Sequence, residues 1–162
     1  MRLYSFVNYY LSDLQRGLQT AHVVAELGAS YPRLTPQVPL ITEEPATRIL
    51  WDWAINHKTI IILNGGNSAE LIKLYNELVS PLRSRYPVAF FEEDEASLNM
   101  ATTAVGIVLP AMMYEAVQEH SQLEIETAFT YAPEGFTRSW ARYEVDTPEW
   151  KLLKALKTYR LA

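Results

Sequence analysis

The sequence predicts a single α/β domain in which helices cover both faces of one sheet. Short apolar segments typical of buried strands alternate along the chain with longer segments of helical periodicity, which is the pattern of layered α/β folds. The chain has 162 residues, 49% of them hydrophobic, which suffices for one core but not for two independent domains. We therefore expect residues 1–162 to form one three-layer domain around a mixed, mostly parallel sheet of about four strands.

The first half of the chain predicts two strands and two helices. LYSFVNYY (residues 3–10) is rich in aromatic and β-branched side chains, as strands are. Ser12 or Asp13 can cap the helix that follows, which runs to about residue 30. A proline-rich loop leads to EEPATRILWDWAINH, which is typical of a second helix with one apolar face. KTIIIL (residues 58–63) is typical of a strand that is buried on both faces.

The second half predicts two more strands, a hairpin and two more helices. SAELIKLYNELVSPLRSR has leucines on one helical face, and YPVAFFE and TTAVGIVLP are typical of strands. In TTAVGIVLP, strict alternation puts Thr103 on one face and Thr102 with Ala104 on the other. LEIETAFTYA and RSWARYEV, joined by the turn PEG, predict a β-hairpin. Thr147 as cap, followed by Pro148, predicts the start of the last helix.

Composition and charge narrow the classes of function. The chain has no cysteine, which excludes disulfides, thiolate nucleophiles and cysteine-based zinc sites. The three histidines are scattered without metal-ligand spacing, so we expect no metal site, and no motif implies a cofactor. Because no apolar run is long enough to span a membrane and no signal peptide is evident, we expect a cytoplasmic protein without membrane contact. The net charge of −5 argues against a nucleic-acid partner.

The most chemically suggestive stretch is FFEEDEASLNMATT, between the third and fourth predicted strands. Glu93 and Asp94 belong to an acidic run at the end of a strand, where α/β folds place their sites. Crowding of carboxylates disfavours their ionisation and can provide a general acid or base near neutral pH. A solvent-exposed acidic loop is the alternative interpretation. Thr102 and Thr103 begin the next strand, where their hydroxyls either face a site or satisfy the strand end.

The first predicted helix carries a polar strip beside an apolar one. At about 100° per residue, His22 falls between Gln15, Gln19 and Glu26. The apolar residues share a separate face, on which we expect the helix to pack: Leu14, Leu18, Ala21 and Ala25. We therefore interpret His22 as a structural, hydrogen-bonding residue near a site rather than as a catalytic one.

The order of these segments resembles the type II peptidyl-tRNA hydrolase family. The resemblance rests on Gln19-x-x-His22 in the first helix, then on HKTIIIL, SAELIKLYNEL, YPVAFFEED, TTAVGIVLP and the terminal TPEWKLLKALKTYRLA. It covers roughly residues 3–110 and the C-terminal helix, and it makes residues 111–145 an insertion that holds the hairpin. It implies a peptidyl-tRNA hydrolase II-like fold, metal-independent hydrolysis of the ester between a peptide and tRNA, and tRNA as a partner.

The resemblance also assigns roles to individual residues. The catalytic candidates, which would polarise water and stabilise charge, are Arg16, Glu93, Asp94 and Thr103. The substrate-binding candidates are Gln15, Gln19, His22 and Thr102. The family's active lysine corresponds to Gln15, which is uncharged, so positive charge at an oxyanion would have to come from Arg16. Whether the chain is an enzyme therefore stays open at this point.

A non-catalytic interaction module is the second interpretation. Aromatic residues of the inserted hairpin, together with Met112, Met113 and Tyr114, would form an exposed contact surface. Such a surface predicts self-association, and we expect a homodimer under either interpretation. An enzyme instead requires the catalytic candidates to converge on one pocket.

Overall fold

The computed structural model describes residues 1–33, 44–94, 100–110, 113, 130–132, 135–137 and 147–162. In these ranges the strands are β1 (Arg2–Val7), β2 (Ile60–Asn64), β3 (Val88–Glu92), β4 (Thr102–Leu109), β5 (Thr130–Ala132) and β6 (Gly135–Thr137). The α-helices are α1 (Asp13–Ser30), α2 (Pro45–Asp52), α3 (Ser68–Leu74) and α4 (Pro148–Leu156). α2 and α3 continue into the π-helical turns Trp53–His57 and Tyr75–Val79. None of the described helices is long and apolar enough to cross a membrane.

The main sheet has four strands in the order β2-β1-β4-β3. β1 runs parallel to β2 and antiparallel to β4, and β3 runs antiparallel to β4. The α/β class and the mixed sheet are confirmed, but the expectation of a mostly parallel sheet is wrong, since one of these three pairs is parallel. The reason lies in the connection between β3 and β4, which is nine residues long (93–101). A parallel crossover takes a dozen or more residues, so β4 returns antiparallel to β3.

Helices cover both faces of this sheet. One face packs against α1 and α2, whose buried apolar residues include Val23, Leu27, Ile49 and Leu50. The other packs against α3 and α4, whose buried residues include Leu71, Leu74, Leu152 and Leu153. α1 lies so close to β4 that a Cβ at Gly106 would be 2.2 Å from Cγ1 of Val23. The crossing of α1 over β4 therefore requires glycine at this strand position.

α1 packs on the sheet through a different face from the expected one. Its buried residues are Gln19, Thr20, Val23 and Leu27. The expected packing face points outward instead, and comprises Leu14, Leu18, Ala21 and Ala25. The inner face can hold polar residues because the sheet supplies partners for them, as where the hydroxyls of Thr20 and Ser5 lie 3.0 Å apart.

The sequence signals at the helix starts are confirmed. Ser12 caps α1, and a side-chain oxygen of Gln15 accepts a hydrogen bond from the Ser12 backbone N–H at 3.0 Å. Asn67 and Glu70 form the same reciprocal arrangement at the start of α3. Thr147 caps α4, with proline in the first turn. The starts of these three helices are therefore set by a few neighbouring residues, independently of the sheet.

A hairpin is present near the predicted place, as the antiparallel pair β5–β6, but the predicted second strand RSWARYEV lies outside the described residues. Its second strand begins at Gly135, earlier than expected, and residues 138–146 lie outside the described residues. We expected Met113 to belong to an exposed surface, and this expectation is wrong. Its side chain is fully buried in the core beneath α3 and α4. The N–H of Met113 donates to the carbonyl of Pro110 at 3.1 Å, which holds Met113 close to the end of β4, beside the core. Met112 and Tyr114 lie outside the described residues.

Candidate functional site

A β-bulge in β4 determines which side chains reach the candidate site. Along β3, Phe91 pairs with Ala104 but Glu92 pairs with Thr102, so Thr103 is an extra residue in β4. A bulge interrupts the alternation of side chains and can re-aim one of them. Thr103 consequently faces α1, as Ala104 does, and the strict alternation expected from the sequence is wrong at this position.

Three side chains from different parts of the fold form a continuous hydrogen-bonded chain beneath α1. The hydroxyl of Thr103 donates to Oε1 of Gln19 at 2.8 Å, and Nε2 of Gln19 donates to Oε1 of Glu93. Thr103 and Gln19 are 4% and 7% exposed, and Glu93 is half-buried. Because both ends of the Gln19 amide are engaged, its orientation is fixed. We call Gln19, Thr103 and Glu93 the Gln19 network.

The Gln19 network lies at the edge of the sheet where β1 and β3 end. Asn8 directly follows β1, is 7% exposed, and its N–H donates to the carbonyl of Thr103 at 3.0 Å. His22, one turn after Gln19 in α1, is exposed and stacks on Phe91, with ring centroids 4.3 Å apart and planes 2° apart. Sequence reasoning missed both Asn8 and Phe91. The signal for Asn8 is an amide residue directly after a strand, at the edge where α/β folds bind ligands.

Five of the predicted site residues lie outside the Gln19 network: His22, Thr102, Arg16, Gln15 and Asp94. Arg16 forms an ion pair with Asp13, with its Nη1 3.3 Å from Oδ1, and its Nη2 donates to the carbonyl of Tyr9 at 3.2 Å. Gln15 is used in the cap of α1, and Asp94 is exposed beside Glu93. Within the described part of the chain, neither the Arg16 nor the Gln15 side chain forms a hydrogen bond with the network. The structure therefore does not bring Arg16 and Thr103 together.

Thr102 faces the other side of β4. Its N–H donates to Oγ of Ser68 at 2.9 Å, and its hydroxyl lies 3.5 Å from Oε1 of Glu92. The side chain is fully buried, so these contacts tie the start of α3 to the sheet. Neighbouring positions 102 and 103 thus have separate partners, on opposite sides of the sheet.

A concave region lies across the sheet from the Gln19 network. It has a volume of about 530 Å³ and is lined in part by Glu70, Lys73, Tyr159 and Arg160. Burial raises the pKa of Tyr159, and the nearby carboxylate of Glu70 raises it further, so the phenol stays protonated at neutral pH. Both signs of charge meet in this cavity, and none of the predicted site residues lines it.

The chemistry available at the Gln19 network is that of one oriented carboxylate. Oε1 of Glu93 accepts from Gln19, which leaves Oε2 to accept a hydrogen bond from water. The hydroxyl proton of Thr103 is donated to Gln19, so its oxygen can act only as an acceptor toward a third group. Within the described ranges, no three His, Asp or Glu side chains are grouped so that they could hold a metal ion.

No protein-family model matches the chain, and no curated protein matches it.

Proposed function

We propose that the chain is a peptidyl-tRNA hydrolase II-like enzyme that hydrolyses the ester between a peptide and tRNA without a metal ion. The Gln19 network carries the proposal. Gln19 and Thr103 are buried where α1 meets the sheet, and both are used to hold the Glu93 carboxylate in one orientation. Packing alone would be served as well by apolar residues at these positions, because buried polar groups stabilise a fold only when they are fully paired.

In this proposal Glu93 polarises the attacking water. Its Oε2 accepts a proton as the water oxygen adds to the ester carbonyl carbon, and the tetrahedral intermediate then breaks its bond to the ribose oxygen. The same carboxyl group returns the proton to that leaving oxygen, which releases the peptide acid and the tRNA hydroxyl. Gln19 and Thr103 are positioning residues, because they act on the substrate only through Glu93.

In the proposed enzyme, α1 supplies no positively charged side chain to the developing oxyanion. Arg16 is engaged by Asp13 and by the carbonyl of Tyr9, and Gln15, which corresponds to the family's lysine, is used in the helix cap. A positive group at a developing oxyanion is commonly worth about 10²–10³ in rate. We therefore expect slow turnover that depends on the carboxylate alone.

The decisive experiment is hydrolysis of an N-acetyl-aminoacyl-tRNA by the purified chain and by Glu93→Gln. The variant keeps an amide oxygen that can accept from Gln19, so the fold should be retained while the rate falls by about 10²–10⁴. Glu92→Gln is the matched control, because Glu92 is the adjacent carboxylate but faces Thr102 on the other side of β4. Equal rates for the wild type and Glu93→Gln, or no hydrolysis by the wild type, would contradict the proposal.

Binding of deacylated tRNA across a salt series tests the partner separately. Phosphate contacts release counterions, so the affinity should be highest at low salt and fall linearly on a logarithmic scale. The chain carries a net charge of −5, which makes this a demanding test. Absence of binding at the lowest salt concentration would remove tRNA from the proposal, and a different acyl ester would then have to be sought.

A further inference from the structure

The outer face of α1 is apolar although it is exposed. Leu14 is 76% exposed and Leu18 is 53% exposed. The other residues on this face have no side chain or only a methyl group, and they are Gly17, Ala21, Ala25, Gly28 and Ala29. A surface helix of a globular protein normally places its charged residues here. In α1, Asp13 and Glu26 lie to either side of this face, and Arg16 lies opposite it.

A groove extends this face toward the edge of the sheet. It lies between α1 and β2, has a volume of about 370 Å³, and is lined by Gly17, Thr20, Ala21, Val24, Ile60 and Ile62. Ile60 is 42% exposed. β2 is an edge strand whose outer side forms a bridge from Leu63 to Leu161, and no described strand pairs with Ile60 on that side. We call the outer face of α1 together with this groove the α1 surface.

We propose that the α1 surface binds the α1 surface of a second copy of this chain, with the two helices antiparallel and Ala21 near a two-fold axis. The order of side-chain sizes along α1 supports this arrangement. Leu14 and Leu18 occupy the N-terminal half, whereas Ala21, Ala25 and Gly28 occupy the C-terminal half. An antiparallel crossing sets the leucines of each copy against the small residues and the groove of the other. A two-fold interface needs this kind of self-complementarity.

The positions of Glu26 and Gln15 are compatible with antiparallel helices. Glu26 lies five residues after Ala21, and Gln15 lies six residues before it. Antiparallel helices crossing at Ala21 place Glu26 opposite Gln15 of the second copy and keep the two Glu26 side chains about 15 Å apart along the axis. Parallel helices would instead pack leucine against leucine and alanine against alanine, which leaves the size differences along α1 unmatched.

The size of the surface explains why the groove has to take part. α1 has 18 residues and is therefore about 27 Å long, with a diameter of about 10 Å. A stable interface buries about 800 Å² on each partner, which is more than one face of such a helix offers. Ile60 and Ile62 widen the apolar area on the groove side. Because the Gln19 network lies on the inner side of α1, this pairing leaves the network unobstructed and does not depend on the proposed hydrolysis.

Disulfide trapping tests the geometry, since the chain has no cysteine of its own. Ala21→Cys should cross-link two copies under mild oxidation, because its Cα atoms would lie within the distance of about 7 Å that a disulfide spans. Leu14→Cys and Gly28→Cys should each remain uncross-linked alone, because they lie seven residues before and after Ala21 and like positions are therefore about 21 Å apart. A mixture of these two variants should cross-link, because both residues lie on the outer face of α1 and a Cβ at Gly28 meets open space. Efficient cross-linking of Leu14→Cys alone, or none by any variant, would overturn the proposal.

Sedimentation over a concentration series tests whether a second copy of the chain binds the α1 surface. The wild type should associate into a dimer, and Leu18→Glu should weaken the association on the order of a hundredfold because it puts two charges into the apolar contact. Ile72→Glu is the control, since Ile72 is 41% exposed but lies on α3. A monomeric wild type at every concentration would overturn the proposal. Unfolding of dilute Leu18→Glu would also overturn it, because a segment of the same chain would then cover this face.

Discussion

The two faces of α1 reverse the usual distribution of polar and apolar residues. The inner face buries Gln19 and Thr20 beside Val23 and Leu27, while the outer face exposes Leu18 to 53% of its surface. In most amphipathic helices the apolar stripe faces the core and the polar residues face water. α1 therefore departs from this rule on both sides at once.

The two departures have different causes. On the inner face each polar side chain has a partner on the sheet: Gln19 pairs with Thr103 and Thr20 pairs with Ser5. Their burial is therefore compensated by hydrogen bonds, and one of these pairs holds the Glu93 carboxylate. On the outer face, the apolar residues receive no cover from the described part of the chain. The inner departure orients the Glu93 carboxylate, and the outer one leaves Leu14 and Leu18 exposed.

The two faces should differ most in how far the free energy of unfolding falls when a leucine is replaced by alanine. Leu27 is fully buried and Leu18 is 53% exposed, on the same helix. We expect Leu27→Ala to lower the free energy of unfolding by about 2–5 kcal/mol, because it leaves a cavity. Leu18→Ala should change it by less than about 0.5 kcal/mol in dilute protein, as surface substitutions do. Urea unfolding of both variants measures the two costs, and similar costs would mean that the outer face is covered within the monomer.

The sequence predicts α1 itself well, because its signals are local. Ser12 and Gln15 form a capping box within one turn, and the last helical residue, Ser30, is where the periodic pattern was expected to end. The α/β class follows from the alternation of strands and helices, which is also a local pattern. These features are read from residues that are close in sequence, so no tertiary information is needed.

The sequence does not predict which face of α1 points inward or where Thr103 points. Helical periodicity separates Leu14 and Leu18 from Gln19 but does not say which group meets the sheet. That choice depends on Ser5 and Thr103, which are distant in sequence and supply partners for the polar face. The bulge at Thr103 likewise depends on how β4 pairs with β3, and strand alternation alone cannot reveal it.

The two glutamines of α1 should differ next most in how far their substitution lowers the free energy of unfolding. Gln19→Leu should lower the free energy of unfolding by about 1–3 kcal/mol, because it leaves Thr103 and Glu93 without their partner. Gln15→Leu removes only an exposed capping contact and should cost about 0.5–1 kcal/mol. Gln19→Leu should also slow the proposed hydrolysis, whereas Gln15→Leu should not. Equal costs in unfolding would show that the Gln19 network contributes no more than a helix cap.

The last contrast concerns the hydroxyl pair of Ser5 and Thr20, whose oxygens are 3.0 Å apart and buried. Ser5→Ala and Thr20→Val should each lower the free energy of unfolding by about 1 kcal/mol, since each leaves a buried hydroxyl unpaired. The double variant should cost less than the sum, with a coupling energy of about 1 kcal/mol, because it removes both partners. Thr158→Val, in the C-terminal segment, should instead add to Ser5→Ala. Additive costs in the Ser5–Thr20 cycle would mean that this contact does not stabilise the inner face of α1. The Gln19 network would then be the remaining reason for polar residues on that face.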